Sequence, residues 1–154
     1  MYKKVAILGS GSWATALAKM VMHNQAEINW FIRRQEVIDE FIATGKNPTY
    51  LGMASFDVGR IHFSSDINQT VAQSDVLILA IPSPYIKKTL NKIRRDMRHK
   101  IVINAVKGMM PDENILFSLF LFSASLIIIF FLCLCLFCIS KFLTSLLFLF
   151  ILII

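Results

Sequence analysis

The sequence predicts an α/β fold, a doubly wound and mostly parallel sheet over residues 1–114, followed by an apolar helical, transmembrane-like tail over 115–154. Three observations carry this. Val5-Ala6-Ile7-Leu8 and Val76-Leu77-Ile78-Leu79-Ala80-Ile81 are continuous apolar runs, the pattern of strands covered on both faces. Stretches with helical spacing alternate with the strands, and such alternation requires crossover connections and hence parallel neighbours. A glycine-rich break separates the first strand from the first helix.

The elements follow in order. After the strand at 5–8, Ala14, Leu17, Ala18, Val21 and Met22 form one apolar stripe of a helix over 13–23. A second strand spans 28–32 and a second helix 35–43. Gly45-Lys46-Asn47-Pro48 is a turn signal that opens an irregular excursion to residue 60. A short strand at 61–63 precedes a helix through Gln73, with Asp66 as its N-cap. The strand at 75–81 is stopped by Pro82. A basic helix over 83–97 and a strand over 101–104 complete the set, ending at Lys107-Gly108.

Composition divides the chain. It is 56% apolar, 17% charged and carries a formal charge of +6, which excludes a disordered polymer. Among the 16 Lys and Arg and 10 Asp and Glu, only Lys141 lies beyond residue 114, whereas nine of the 13 Phe do. The front is long enough for one core. Its positive excess sits on Lys3, Lys4, Arg33, Arg34 and a run from Lys87 to Lys100, which suits anionic partners. Within that run Lys87, Lys88, Lys92, Arg94, Arg95, Arg98 and Lys100 have no interleaved aromatic residues for base stacking, so a solvated helix face is expected rather than a nucleic-acid grip. Met1-Tyr2-Lys3-Lys4 leads directly into a short strand, so a secretory signal is not expected and the front is assigned to the cytoplasm. Cys133, Cys135 and Cys138 lie among Leu, Phe and Ile with no His or carboxylate nearby; they read as apolar filler, and no metal site is expected.

Gly9-Ser10-Gly11-Ser12-Trp13-Ala14 is a GxGxxA element placed between strand and helix, the context of a Rossmann-type dinucleotide turn. Gly9 permits the tight turn, Gly11 lets backbone approach a pyrophosphate, and Ala14 is small enough for close helix–strand packing. Free amides and the positive end of the helix dipole then hold the phosphates. A plain strand-to-helix turn without ligand is the alternative. Where that fingerprint usually has an acid for the ribose hydroxyls, this chain reads Trp30-Phe31-Ile32-Arg33-Arg34. Arginine there suits a 2′-phosphate through charge-assisted bonds, so NADP is favoured over NAD.

Four segments, GSGSWATALA at 9–18, NPTYL at 47–51, DVLILAIPS at 75–83 and NAVKG at 104–108, together resemble bacterial NAD(P)-dependent glycerol-3-phosphate dehydrogenase. The resemblance covers the front in order and stops near Leu116. It implies reduction of dihydroxyacetone phosphate to sn-glycerol 3-phosphate, the backbone of phospholipids. It also implies cofactor contacts at Ser12 and Trp13, at Arg33 and Arg34 toward the adenosine phosphate, and at Lys107 near both nicotinamide and substrate phosphate. Ser83 to Tyr85 would line the cofactor side of the cleft. Members usually carry glycine where this chain has Ala14, a departure that the fingerprint tolerates.

Hydride transfer to a carbonyl also needs a proton donor. In the family this is a lysine of a helical C-terminal domain that no segment here resembles, so no catalytic residue is assigned and the chain as written is expected to bind dinucleotide without turnover. Two accounts of the tail stay open. Residues 115–140 are uncharged and long enough to cross a bilayer as a helix. Phe, Leu, Ile, Ser and Cys are also what T-rich DNA encodes out of frame. The rival functional reading is therefore a membrane-tethered dinucleotide-binding module without catalysis.

Overall fold

The computed structural model describes residues 3–106 and the backbone of residues 128–130. In chain order the elements are β1 (Val5–Leu8), α1 (Ser12–Asn24), β2 (Ile28–Phe31), α2 (Gln35–Thr44), a 3-10 turn (Val58–Arg60), β3 (Ile61–Ser64), α3 (Ile67–Ala72), β4 (Val76–Leu79), α4 (Ser83–Leu90), β5 (Ile101–Asn104) and β6 (Ile128–Phe130). The strands form one sheet in the order β3-β2-β1-β4-β5-β6, and every neighbouring pair is parallel. Leu8 is in register with Phe31 on one side and Leu79 on the other, so three strands end level around β1. This is the doubly wound sheet expected from the apolar runs.

Alternation along buried strands sorts side chains into two layers. Val5 and Ile7 of β1, Ile28 and Trp30 of β2, and Val76 and Ile78 of β4 meet α1 and α2 on one face. Ala6, Leu8, Phe31, Leu77 and Leu79 meet α3 and α4 on the other. The first layer centres on aromatic packing. Trp30 lies 5.3 Å from Phe41 edge-on and 5.8 Å from Phe63 in a stacked pair, and Phe41 meets Phe56 at 5.3 Å.

Helix ends explain most differences from the expected boundaries. Asp66 caps α3 by accepting from the Asn68 amide at 2.8 Å, as expected. Gly45 ends α2 in the left-handed conformation, φ +67°. The guanidinium of Arg60 donates to the carbonyls of Met22, Gln25 and Ala26, closing the carboxyl end of α1. The basic helix expected over 83–97 stops at Leu90 instead. Asn68 is the reason: its side chain donates to the Lys92 carbonyl at 3.1 Å and accepts from the Arg94 amide at 2.8 Å, fixing a turn there. The run is thus no single helix face. Arg98 pairs with Asp96, whose carboxyl is held down at about 2 by that guanidinium, and Lys100 donates to the Ser74 carbonyl.

The tail also departs from expectation where it is described. Residues 128–130 fall inside the stretch expected to be helical, yet they form β6, paired with β5 through Val102–Ile128 to Asn104–Phe130. A continuous apolar run carries no period, and Ile128-Ile129-Phe130 is as fit for a covered strand as for a helix. Among the described residues no helix is long and apolar enough to cross a membrane; the rest of 115–154 lies outside them.

The aromatic layer gives a stability test. Phe41 is fully buried against three other rings, Trp30, Phe56 and Phe63, so Phe41→Ala is expected to cost about 3–5 kcal/mol, read by denaturant unfolding.

Candidate functional site

The strand order reverses direction of winding between β1 and β4, and in open α/β sheets ligands bind outside the carboxyl ends of strands at such a point. The glycine turn sits there. Gly9 adopts φ +132°, and a Cβ on it would lie 2.4 Å from the Ala80 carbonyl oxygen. The chain leaving β1 therefore crosses the end of β4 so closely that only glycine fits. Gly11 differs: its backbone is ordinary, and a Cβ there would meet nothing within 4 Å. Its absent side chain leaves open space in front of the turn. Gly11 is also the N-cap of α1 and provides no side-chain cap to the amides of Ser12, Trp13 and Ala14. Ala14 is fully buried, as close helix–strand packing demands.

Four anchors hold this turn. The Gly9 amide donates to the Phe31 carbonyl at 3.2 Å. The Trp30 indole Nε1 donates to the Gly9 carbonyl at 2.7 Å. The Trp13 indole, itself partly exposed, donates to the Ala105 carbonyl at 3.0 Å and ties the start of α1 to the end of β5. The buried Asn47 side chain donates to the Thr15 hydroxyl at 2.8 Å and to the Ser10 carbonyl at 3.3 Å. Asn47, Thr15 and Trp30 escaped the sequence-level site; Asn47 lay within the NPTYL segment, which marked it without giving it a task.

The other expected residues gather on the same edge, with one outside view. Arg33 and Arg34 follow β2 after one buried residue, Ile32; the last residue of β2, Phe31, touches Gly9, and both arginines are exposed. Neither guanidinium makes a hydrogen bond or ion pair among the described residues. Ser83 and Tyr85 begin α4 just past Ala80, the residue beside Gly9. Ser12 is exposed at the first position of α1. Lys107 lies outside the described residues. Among those described, no cluster of His, Cys, Asp or Glu is arranged to hold a metal, and the three cysteines lie outside them. A separate open cavity of about 410 Å³, lined by Lys4, Glu27, His62, Gln69 and Gln73, shares no residue with the turn. There the His62 ring, 3.0 Å from Glu27, lowers the Glu27 carboxyl below its ordinary value.

The geometry fits a diphosphate. Uncapped amides at a helix start favour an anion, and the open space at Gly11 is where a side chain would obstruct it. Parallel order, switch point and glycine turn together define a dinucleotide-binding Rossmann domain. Residues 4–123 match the family model described as NAD-dependent glycerol-3-phosphate dehydrogenase N-terminus. The chain belongs to that family. It is 31% identical over 111 residues to a glycerol-3-phosphate dehydrogenase [NAD(P)+] of Bacillus pumilus, covering 71% of this chain and 32% of the relative. The Oceanobacillus iheyensis enzyme of the same name is 34% identical over 111 residues, covering 71% and 31%. In fold it is similar to glycerol-3-phosphate dehydrogenase from Coxiella burnetii, with a TM-score of 0.63 and 22% identity over 75% of this chain and 36% of that one. The chain thus spans about a third of the length of the relatives it matches.

The two glycines should separate cleanly on substitution. Gly9→Ala is expected to lower stability by about 1–3 kcal/mol from backbone strain alone, with a further loss from the clash at Ala80. Gly11→Ala should leave the melting temperature near wild type while weakening dinucleotide binding, and paired thermal melts and NADPH titrations read both effects.

Proposed function

We propose that this chain forms the cofactor-binding part of a glycerol-3-phosphate dehydrogenase that interconverts dihydroxyacetone phosphate and sn-glycerol 3-phosphate, and that it prefers NADP. The observation that carries the reading is the uncapped start of α1 behind Gly11, at the switch point of the sheet. The amides of Ser12, Trp13 and Ala14 hold the diphosphate there, aided by the helix dipole. The nicotinamide, when bound, supplies or accepts the hydride. Arg33 and Arg34, exposed at the end of β2 and free of competing partners among the described residues, take the 2′-phosphate by charge-assisted hydrogen bonds. Trp13 closes one side of the turn by its bond to Ala105. Lys107, two residues further on in the NAVKG segment, neutralises anionic oxygen of the substrate phosphate.

On this reading the 154 residues alone bind dinucleotide and do not reduce dihydroxyacetone phosphate, because the match extends over about a third of the relatives' length. The apolar, uncharged run 115–140 supports a second reading, a module that binds dinucleotide without catalysis and is tethered to lipid through apolar surface rather than one spanning helix, since Ile128–Phe130 pair with β5. Flotation of the chain with liposomes tells the two apart, since only the tethered module should rise with the lipid.

The central test is titration of the chain with NADPH and NADH, followed by tryptophan fluorescence and calorimetry. Saturable binding of NADPH, tighter than NADH, is expected. Replacing both arginines (Arg33→Ala with Arg34→Ala) should weaken NADPH about tenfold or more and leave NADH nearly unchanged, the loss of one or two charge-assisted hydrogen bonds to phosphate. No heat and no fluorescence change with either nucleotide would defeat the proposal.

A further inference from the structure

The segment after α2 reaches the glycine turn through one side chain, Asn47, which is among the most buried polar residues described. Asn47 is 2% exposed and Thr15 is fully buried. The orientation of the Asn47 amide is set by its neighbours: its Oδ1 accepts from the Thr49 amide at 3.0 Å and the Tyr50 amide at 3.1 Å. Nδ2 must then face α1, where it donates to the Thr15 hydroxyl and to the Ser10 carbonyl. The Thr15 hydroxyl has one proton, and it donates this to the Gly11 carbonyl at 3.0 Å. The Ser10 carbonyl is therefore held inward by Asn47 directly, and the Gly11 carbonyl, which also accepts the Thr15 amide at 3.0 Å as the first helical bond of α1, is held by the Thr15 hydroxyl that Asn47 steadies.

A peptide unit is planar, so fixing a carbonyl fixes the amide on its far side in the opposite direction. The amides that follow those two carbonyls belong to Gly11 and Ser12. We propose that Asn47 is a positioning residue for dinucleotide binding, acting through Thr15 and the Ser10 and Gly11 peptides to aim the amides of Gly11 and Ser12 outward at the diphosphate. The assignment rests on the cofactor reading above and adds to it the task of the NPTYL segment. It also explains why asparagine stands at this position. Serine is too short to reach both partners, and aspartate has the right shape but only accepts, facing the Ser10 carbonyl with like polarity. The Thr15 hydroxyl would then have to choose between that carboxylate and Gly11.

Asn47→Asp in the full chain tests this, with two ligands compared. NADPH needs the diphosphate turn; 2′-AMP has the 2′-phosphate but no diphosphate. Asn47→Asp is expected to weaken NADPH about tenfold or more, the scale of one or two lost buried hydrogen bonds, while 2′-AMP affinity stays within about twofold of wild type because its phosphate does not touch the turn. Thr15→Val, which keeps the shape and removes the relay hydroxyl, should show the same split at smaller size and serves if the aspartate variant does not fold. Equal loss of both ligands would reduce Asn47 to general support of the fold and overturn the proposal. So would unchanged NADPH affinity in either folded variant. If wild type binds neither ligand, the cofactor reading itself fails and this one with it; if wild type binds NADPH and the variants match it, only the positioning role falls.

Discussion

The carboxyl edge of the sheet depends on one close approach, that of the Gly9 backbone to the Ala80 carbonyl. A chain leaving a central parallel strand must turn back over its neighbour to begin the crossover helix. At φ +132° it does so within van der Waals reach of the adjacent strand end. That turn brings the start of α1 over the point where the winding of the sheet reverses, and its amides face the crevice this creates. Remove the approach and α1 begins elsewhere, with its dipole aimed at nothing in particular.

Around that constraint the structure distributes its polar groups economically. Trp30 is wholly buried among Phe41, Phe56 and Phe63, yet its indole proton reaches the Gly9 carbonyl. Buried indoles commonly find such a partner, and here the partner belongs to the site. No buried side-chain nitrogen or oxygen among the described residues lacks a hydrogen-bond partner, so Asn29, Asn47 and Thr15 specify geometry rather than burden the core. Arg33 and Arg34 stand apart, charged and exposed with no such bond among the described residues.

The strands and the glycine turn were legible because their signals are local. A covered parallel strand writes itself as an unbroken apolar run, and Gly9 and Gly11 stand at fixed spacing between a strand and a helix. What escaped was tertiary. The stop of α4 at Leu90 is imposed by Asn68, whose bonds reach 24 and 26 residues along the chain. The task of Asn47 depends on partners 32 and 37 residues away, and a buried asparagine looks in sequence like any turn residue after glycine. The strand at 128–130 was missed for a different cause, since uniform apolarity erases the difference between periods of 2 and 3.6.

The double duty of Trp30 couples folding to binding in time. A chain whose aromatic layer has not condensed has no indole in position to brace the Gly9 carbonyl, so a loosely collapsed intermediate presents no formed cradle to a nucleotide. Coenzyme therefore selects the fully consolidated conformer and shifts the population toward it by mass action.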